Sequence, residues 1–177
     1  MSIGCHSNGN SGLRERMADN PLVTLSLVRS FIALAPRDRR LVSWTAVLLL
    51  GIRLALSFLS FGVVLNGLRR VSRASFFAHA AAPASIERAL WAVEVCSNRL
   101  PPARTCLIRA LAAQTLLVSA QNAARFRIGV AKDRDGTLQA HAWVESNGRV
   151  VIGASADVFV PLQSRGKQCF DLGLDEL

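Results

Sequence analysis

The sequence predicts an α+β fold, with helices first and an antiparallel sheet after them. Three observations predict it. Apolar residues recur at helical spacing as far as Ala120. From Arg125 the period changes from 3.6 to 2, the spacing of a strand with one buried face. Asn147-Gly148, between two alternating runs, is the strongest short hairpin signal a sequence can carry.

Met1 to Asn20 is rich in Ser, Gly and Asn without apolar periodicity and reads as a disordered tail. No apolar run follows closely enough for a signal peptide. Pro21 to Ala35 reads as a short helix, with Asn20 as its N-cap and a stop before Pro36. Pro36-Arg37-Asp38-Arg39-Arg40 reads as a basic turn. Leu41 to Leu65 follows as an apolar stretch with one charge, Arg53, at its middle. Its length suits a bilayer span, but a central arginine costs about 2.5–3.5 kcal/mol on insertion. Arg53, Ser57 and Ser60 form a narrow polar stripe, which favours a buried or membrane-surface helix over a span.

Phe76 to Pro83 reads as a link, and Ser85 caps a helix that runs to Ser97 with Ile86, Leu90 and Val93 on one face. Leu100-Pro101-Pro102 forces an extended approach to the next helix. That helix, Thr105 to Ala120, is capped by Thr105 and carries Leu107, Leu111 and Val118 on one stripe. Phe126, Ile128 and Val130 then alternate with Arg125, Arg127 and Gly129. After a turn at Asp133-Arg134-Asp135-Gly136, the apolar phase of Ala140, Ala142 and Val144 alternates with Gln139, His141, Trp143 and Glu145. Val150 to Ile152 begins the return strand, and Ser164 to Leu177 has no firm pattern.

Composition narrows the function. In 177 residues, 51% are hydrophobic and 19% charged, which excludes a disordered chain. Four cysteines are too few for a disulfide scaffold, and none stands in a C-x-x-C pair, so neither a structural zinc site nor another metal is expected. Aromatics make up 6% and tyrosine is absent, which argues against stacking on single-stranded nucleic acid. The net charge is +9. Met1 to Ala80 holds 10 basic and 3 acidic residues, against 11 and 9 from Ala81 onward. The basic half therefore expects an acidic peptide, a partner protein or anionic lipid, and no nucleic acid, because no basic run or binding motif accompanies it. No P-loop or dinucleotide fingerprint appears.

Cys106 and His141 are the candidates for chemistry. Cys106 opens a helix, where backbone amides and the macrodipole favour a thiolate. Standing alone, a cysteine there is more often a small apolar packing residue. His141 lies on the polar phase of a strand, whereas His6 falls in the tail and His79 in the link. A helix-start cysteine opposite a strand histidine is the papain-like arrangement, in which the imidazole takes the thiol proton and returns it to the leaving amine. A third group usually orients the histidine. If Ser146 pairs with Arg149 across a two-residue turn, His141 faces Ala154, and no carboxylate or amide stands at Gly153, Ala154 or Ser155. Asp157 is three residues beyond, about 10 Å along an extended strand, and could serve only if the strand bulges or turns back. Arg109, one turn after Cys106, could hold a thiolate or a substrate carboxylate, or be a surface arginine.

Thr105-Cys106-Leu107-Ile108-Arg109-Ala110-Leu111, Arg125-Phe126-Arg127-Ile128-Gly129-Val130 and Ala140-His141-Ala142-Trp143-Val144-Glu145 together resemble the transglutaminase-like B protein of lasso-peptide biosynthesis, a family that includes the microcin-processing proteins. The turn at Pro36 to Leu41 and the apolar helix after it resemble its N-terminal region, so the likeness runs from about Leu22 to Leu162. The resemblance implies a papain/transglutaminase-like core, a Cys-bearing helix packed on an antiparallel sheet, over residues 81–177, behind a helical region at 21–80 and the tail at 1–20. It implies a cytoplasmic cysteine peptidase that removes the leader from a lasso precursor peptide, either membrane-associated through 41–65 or not. A separate leader-recognition protein and an asparagine-synthetase-like cyclase would be its partners, the chain being too short to hold the recognition module as well. The family's ATP-dependent processing would enter through a partner, and the chain itself would carry no cofactor. Cys106 is then the nucleophile and His141 the base and acid. The family's aspartate has no counterpart at Gly153, which leaves a dyad, a displaced Asp157 as third residue, or a catalytically weak scaffold that binds precursor and cyclase. A membrane-anchored acyltransferase of the same fold shares the first half-reaction.

Overall fold

The computed structural model describes residues 29, 31–73, 85–99, 105–132, 136–155 and 159–162. Within them α1 (Pro36–Phe58), α2 (Phe61–Arg73), α3 (Ile86–Arg99) and α4 (Cys106–Ser119) precede β1 (Arg125–Lys132), β2 (Leu138–Ser146), β3 (Arg149–Ile152) and β4 (Val160–Pro161). The strands form one antiparallel sheet in the order β3-β2-β1-β4. The chain is thus α+β with its helices first. The tail at 1–20, the link at Phe76 to Pro83 and the segment from Ser164 lie outside the described residues, as does most of Pro21 to Ala35.

α4 is the middle layer. It packs on α1, α2 and α3 on one side and on β1, β2 and β3 on the other. Twelve of its 14 residues are buried, so the expected single stripe of Leu107, Leu111 and Val118 understates the contact. Leu107 itself is only half-buried, while Leu111, Leu116 and Leu117 are sealed in the interior. Small side chains at Ala110, Ala112 and Ala113 let neighbours approach from every direction, which is how a helix apolar around its circumference is used. Three of its polar side chains donate to main-chain carbonyls. Thr115 Oγ1 donates to Leu111 O at 2.8 Å, Ser119 Oγ to Leu116 O at 2.8 Å, and Gln114 Nε2 to Ala124 O at 3.3 Å. The last of these, with Ser146 Oγ donating to Ala123 O at 2.6 Å, fastens the end of α4 and the β2 turn to the entry of β1.

Two local expectations are corrected. Pro36 to Arg40 is the first turn of α1 rather than a free turn, with proline at a position whose missing N–H costs nothing. Asp38 is buried there because Arg88 of α3 grips it through both Nε, 3.0 Å from Oδ1, and Nη2. The guanidinium also lies over the Trp91 ring at 5.2 Å. The second correction concerns Leu41 to Leu65, which is not one helix. α1 ends at Phe58, Leu59 is extended at φ −116°, ψ 152°, and α2 restarts at Phe61. The break lets both halves cover α4, with Leu48, Leu49 and Ile52 from α1 and Val64, Leu65 and Leu68 from α2 in one apolar cluster. Arg53 and Ser57 of the polar stripe are exposed, and Ser57 Oγ donates back to Arg53 O at 3.0 Å.

The sheet begins as expected. Asn147 (φ 51°) and Gly148 (φ 75°) are both left-handed, as a type I′ turn requires, and Ser146 pairs with Arg149. One residue later the register slips. Glu145 pairs with Val150, but Val144 pairs with Ile152, so an extra residue on β3 makes a bulge. The expected pairing of His141 with Ala154 is therefore wrong. The ladder stops at Ile152, and Gly153, at φ 77°, turns the backbone under β2.

Candidate active site

Thr105 caps α4, its Oγ1 accepting the Ile108 N–H at 3.4 Å, so Cys106 is the first residue of the helix. Cys106 is buried, with 8% of its surface exposed, and joins the apolar cluster between the helices and the sheet. Arg109, one turn on, is half-buried, and its Nε is buried without a hydrogen-bond partner among the described residues. The other described cysteine, Cys96, lies on α3 with its Sγ donating to Val42 O at 3.4 Å. Burial pushes its thiol up to about 11, with nearby Arg99 acting weakly the other way. That is the setting of an inert packing thiol. Cys5 and Cys169 lie outside the described residues.

His141 stands at mid-β2, half-buried, opposite Gly129 of β1. It shares its strand phase with Trp143 and Glu145, while Ala142 and Val144 on the other phase belong to the cluster that α4 packs against. The ring is held on three sides. Phe159 stacks on it with centroids 4.9 Å apart, Trp143 lies 6.3 Å away at an interplanar angle of 16°, and Nε2 is 2.7 Å from Gly153 O. Trp143 is fixed in turn, its Nε1 donating to Glu145 Oε1 at 2.9 Å, and Glu145 Oε2 accepts from Arg127 Nε at 3.4 Å. His141, Trp143, Glu145 and Phe159 line a cleft of about 310 Å³ that includes Val150, Gly153 and Ser155.

The helix carrying Cys106 meets the strand carrying His141 through the Ala142 and Val144 phase, the strand face opposite to that of His141. Cys106 belongs to the packed layer at the helix start, and His141 to the cleft, whose lining does not include Cys106. Asp157, the candidate third residue, lies outside the described residues. Among the described residues no group of His, Cys, Asp and Glu is placed to hold a metal ion.

Three residues of the histidine's surroundings escape a reading of sequence alone. Alternation puts Trp143 beside His141 but does not say that its ring covers Gly129, where an added Cβ would stand 2.8 Å from Trp143 Cη2. Gly153 carries a signal, a glycine at the end of a strand, which marks a bulge or a left-handed turn. Phe159 and the short strand at Val160 carry none.

The family comparison fits this architecture. The sequence model described as "Transglutaminase-like superfamily" matches residues 46–164, a span that opens inside α1 and takes in Cys106, His141 and the whole sheet. No curated protein and no solved structure matches the sequence. With two thirds of its length inside that match, the chain belongs to the transglutaminase-like superfamily.

Proposed function

We propose that this chain is a cysteine peptidase that releases the leader from a lasso-peptide precursor. Supporting the reading is the placement of Cys106 as first residue of a capped helix that packs on the strand of His141, in a superfamily generally made of cysteine-dependent enzymes. The Cys106 thiolate attacks the carbonyl carbon of the scissile amide, and the amides of the first turn of α4 face the developing negative charge. His141 takes the thiol proton and gives it to the departing amine, so the core peptide leaves with a free N-terminus and the leader stays as a thioester on Cys106. His141 then draws a proton from water, the hydroxide displaces sulfur, and the leader leaves as a carboxylic acid. A separate recognition protein presents the leader, and the cyclase consumes the freed amine. The test is to incubate precursor, recognition protein and this chain, and to weigh the products. Leader and core at their separate masses support the reading. An intact precursor that nonetheless co-purifies with the chain favours the scaffold alternative.

We also propose that the chain works at an anionic membrane surface. α1 is long and apolar enough to cross a bilayer, with a mean hydropathy of 1.9 over its best window, but a third of that window is buried in the domain. Crossing would strip Asp38 from Arg88 and Leu49 and Ile52 from the core. Lying on the surface strips nothing, since Leu54, Phe58, Leu59 and Val63 around the α1–α2 break are already exposed, with Arg53 exposed on α1 and Arg70 and Arg73 exposed at the far end of α2. The chain should sediment with phosphatidylglycerol vesicles, be released by high salt or carbonate, and lose binding in Phe58→Glu. Retention in carbonate would instead mark a span.

A further inference from the structure

We infer that the main-chain carbonyl of Gly153 is the third member of the site, positioning His141 in place of a side-chain carboxylate or amide. This rests on the peptidase reading and deepens it. The hydrogen bond is 2.7 Å from His141 Nε2 to Gly153 O. A carbonyl oxygen can only accept, so Nε2 must carry the ring proton. Neutral His141 is thereby held as the Nε2–H tautomer, with the lone pair on Nδ1, the atom left to take a proton from the nucleophile. Stacking by Phe159 and Trp143 fixes the ring plane, and the carbonyl fixes rotation within it. When the ring becomes cationic, the same carbonyl dipole faces the new positive charge.

The backbone at this position favours glycine. Gly153 sits at φ 77°, in the left-handed region that favours glycine. A Cβ there would come within 2.7 Å of Ala142 O and 3.1 Å of Trp143 Cα. No aspartate fits this backbone, so the absence of a carboxylate at 153 is part of the design by which the carbonyl reaches the ring. The end of the ladder at Ile152 and the left-handed turn at Gly153 are what bring this carbonyl to the ring.

The experiment is nitrogen-15 NMR of the ring in the full chain with labelled histidine, assigned against His141→Gln. The expected result is one tautomer at neutral pH, Nε2 protonated and Nδ1 bare, without the averaging of a solvent-exposed imidazole. An averaged ring, or a proton on Nδ1, overturns the assignment, and this measurement needs no variant at the glycine. Gly153→Ala, which must move the carbonyl, should release the ring into both tautomers and lower kcat about 10- to 100-fold with KM little changed. A Gly153→Ala chain that folds and keeps a single Nε2–H tautomer also overturns it. So does an Asp157→Asn chain whose ring begins to average, since the carboxylate would then hold the third position. Cleavage with an averaging ring removes this inference alone; a fixed ring without cleavage removes the peptidase reading and leaves the carbonyl's role in place.

Discussion

Cys106→Ala should leave the precursor intact, with leader release falling about a thousandfold or more, because the variant cannot form the thioester and only binding and backbone polarisation remain. The substitution is mild for the fold. Alanine is the best helix former, and Thr105 still caps α4 through Ile108 N. The sulfur fills little of a cluster dominated by Leu111, Leu116 and Leu117. Circular dichroism and the melting temperature should stay close to wild type while the precursor mass persists. Cys106→Ser should fail as well, since a hydroxyl in the same place lacks the acidity on which attack depends. A Cys106→Ala chain that cleaves at the wild-type rate ends the mechanism.

Gly129→Ala should be the most damaging small change to the sheet. An added Cβ would lie 2.8 Å from Cη2 and Cζ3 of Trp143 and 2.9 Å from Val160 O. The indole cannot retreat without breaking its bond to Glu145, and the carbonyl belongs to β4, which pairs with β1 at this residue. Overpacking of this kind costs about 1–3 kcal/mol, and a chain of this size loses roughly 2–4 °C of melting temperature per kcal/mol. Because Gly129 faces His141 and Trp143 stacks beside it, cleavage should fall too. Thermal unfolding and the cleavage rate check both parts; wild-type stability would mean that Trp143 does not lie over β1.

Much of the architecture is legible because local signals agree with one another. The period change at Arg125, the Asn147-Gly148 turn and the Thr105 cap each act within a few residues, and each is found where expected. The break at Leu59 is hidden in the sequence, since no proline marks it and both halves pack on α4. Asp38 reads as part of a basic turn because its partner, Arg88, is 50 residues away. The site divides in the same manner. Cys106 and His141 stand out by residue type and element. The carbonyl that meets His141 is invisible in the sequence, because a backbone atom leaves no residue type to notice and the turn after the ladder ends decides which carbonyl arrives.

Cleavage as proposed requires the sulfur of Cys106 and the ring of His141 to act as one unit. The pH dependence of iodoacetamide labelling, mapped by peptide mass in wild type and His141→Ala, addresses it directly. Cys96, raised to about 11 by burial, is the internal reference and should stay unlabelled through neutral pH. Cys106 should react well below the range of an ordinary thiol, about 8.5, and His141→Ala should move its profile upward toward that range. A Cys106 that titrates as an ordinary thiol and ignores the loss of His141 would contradict it.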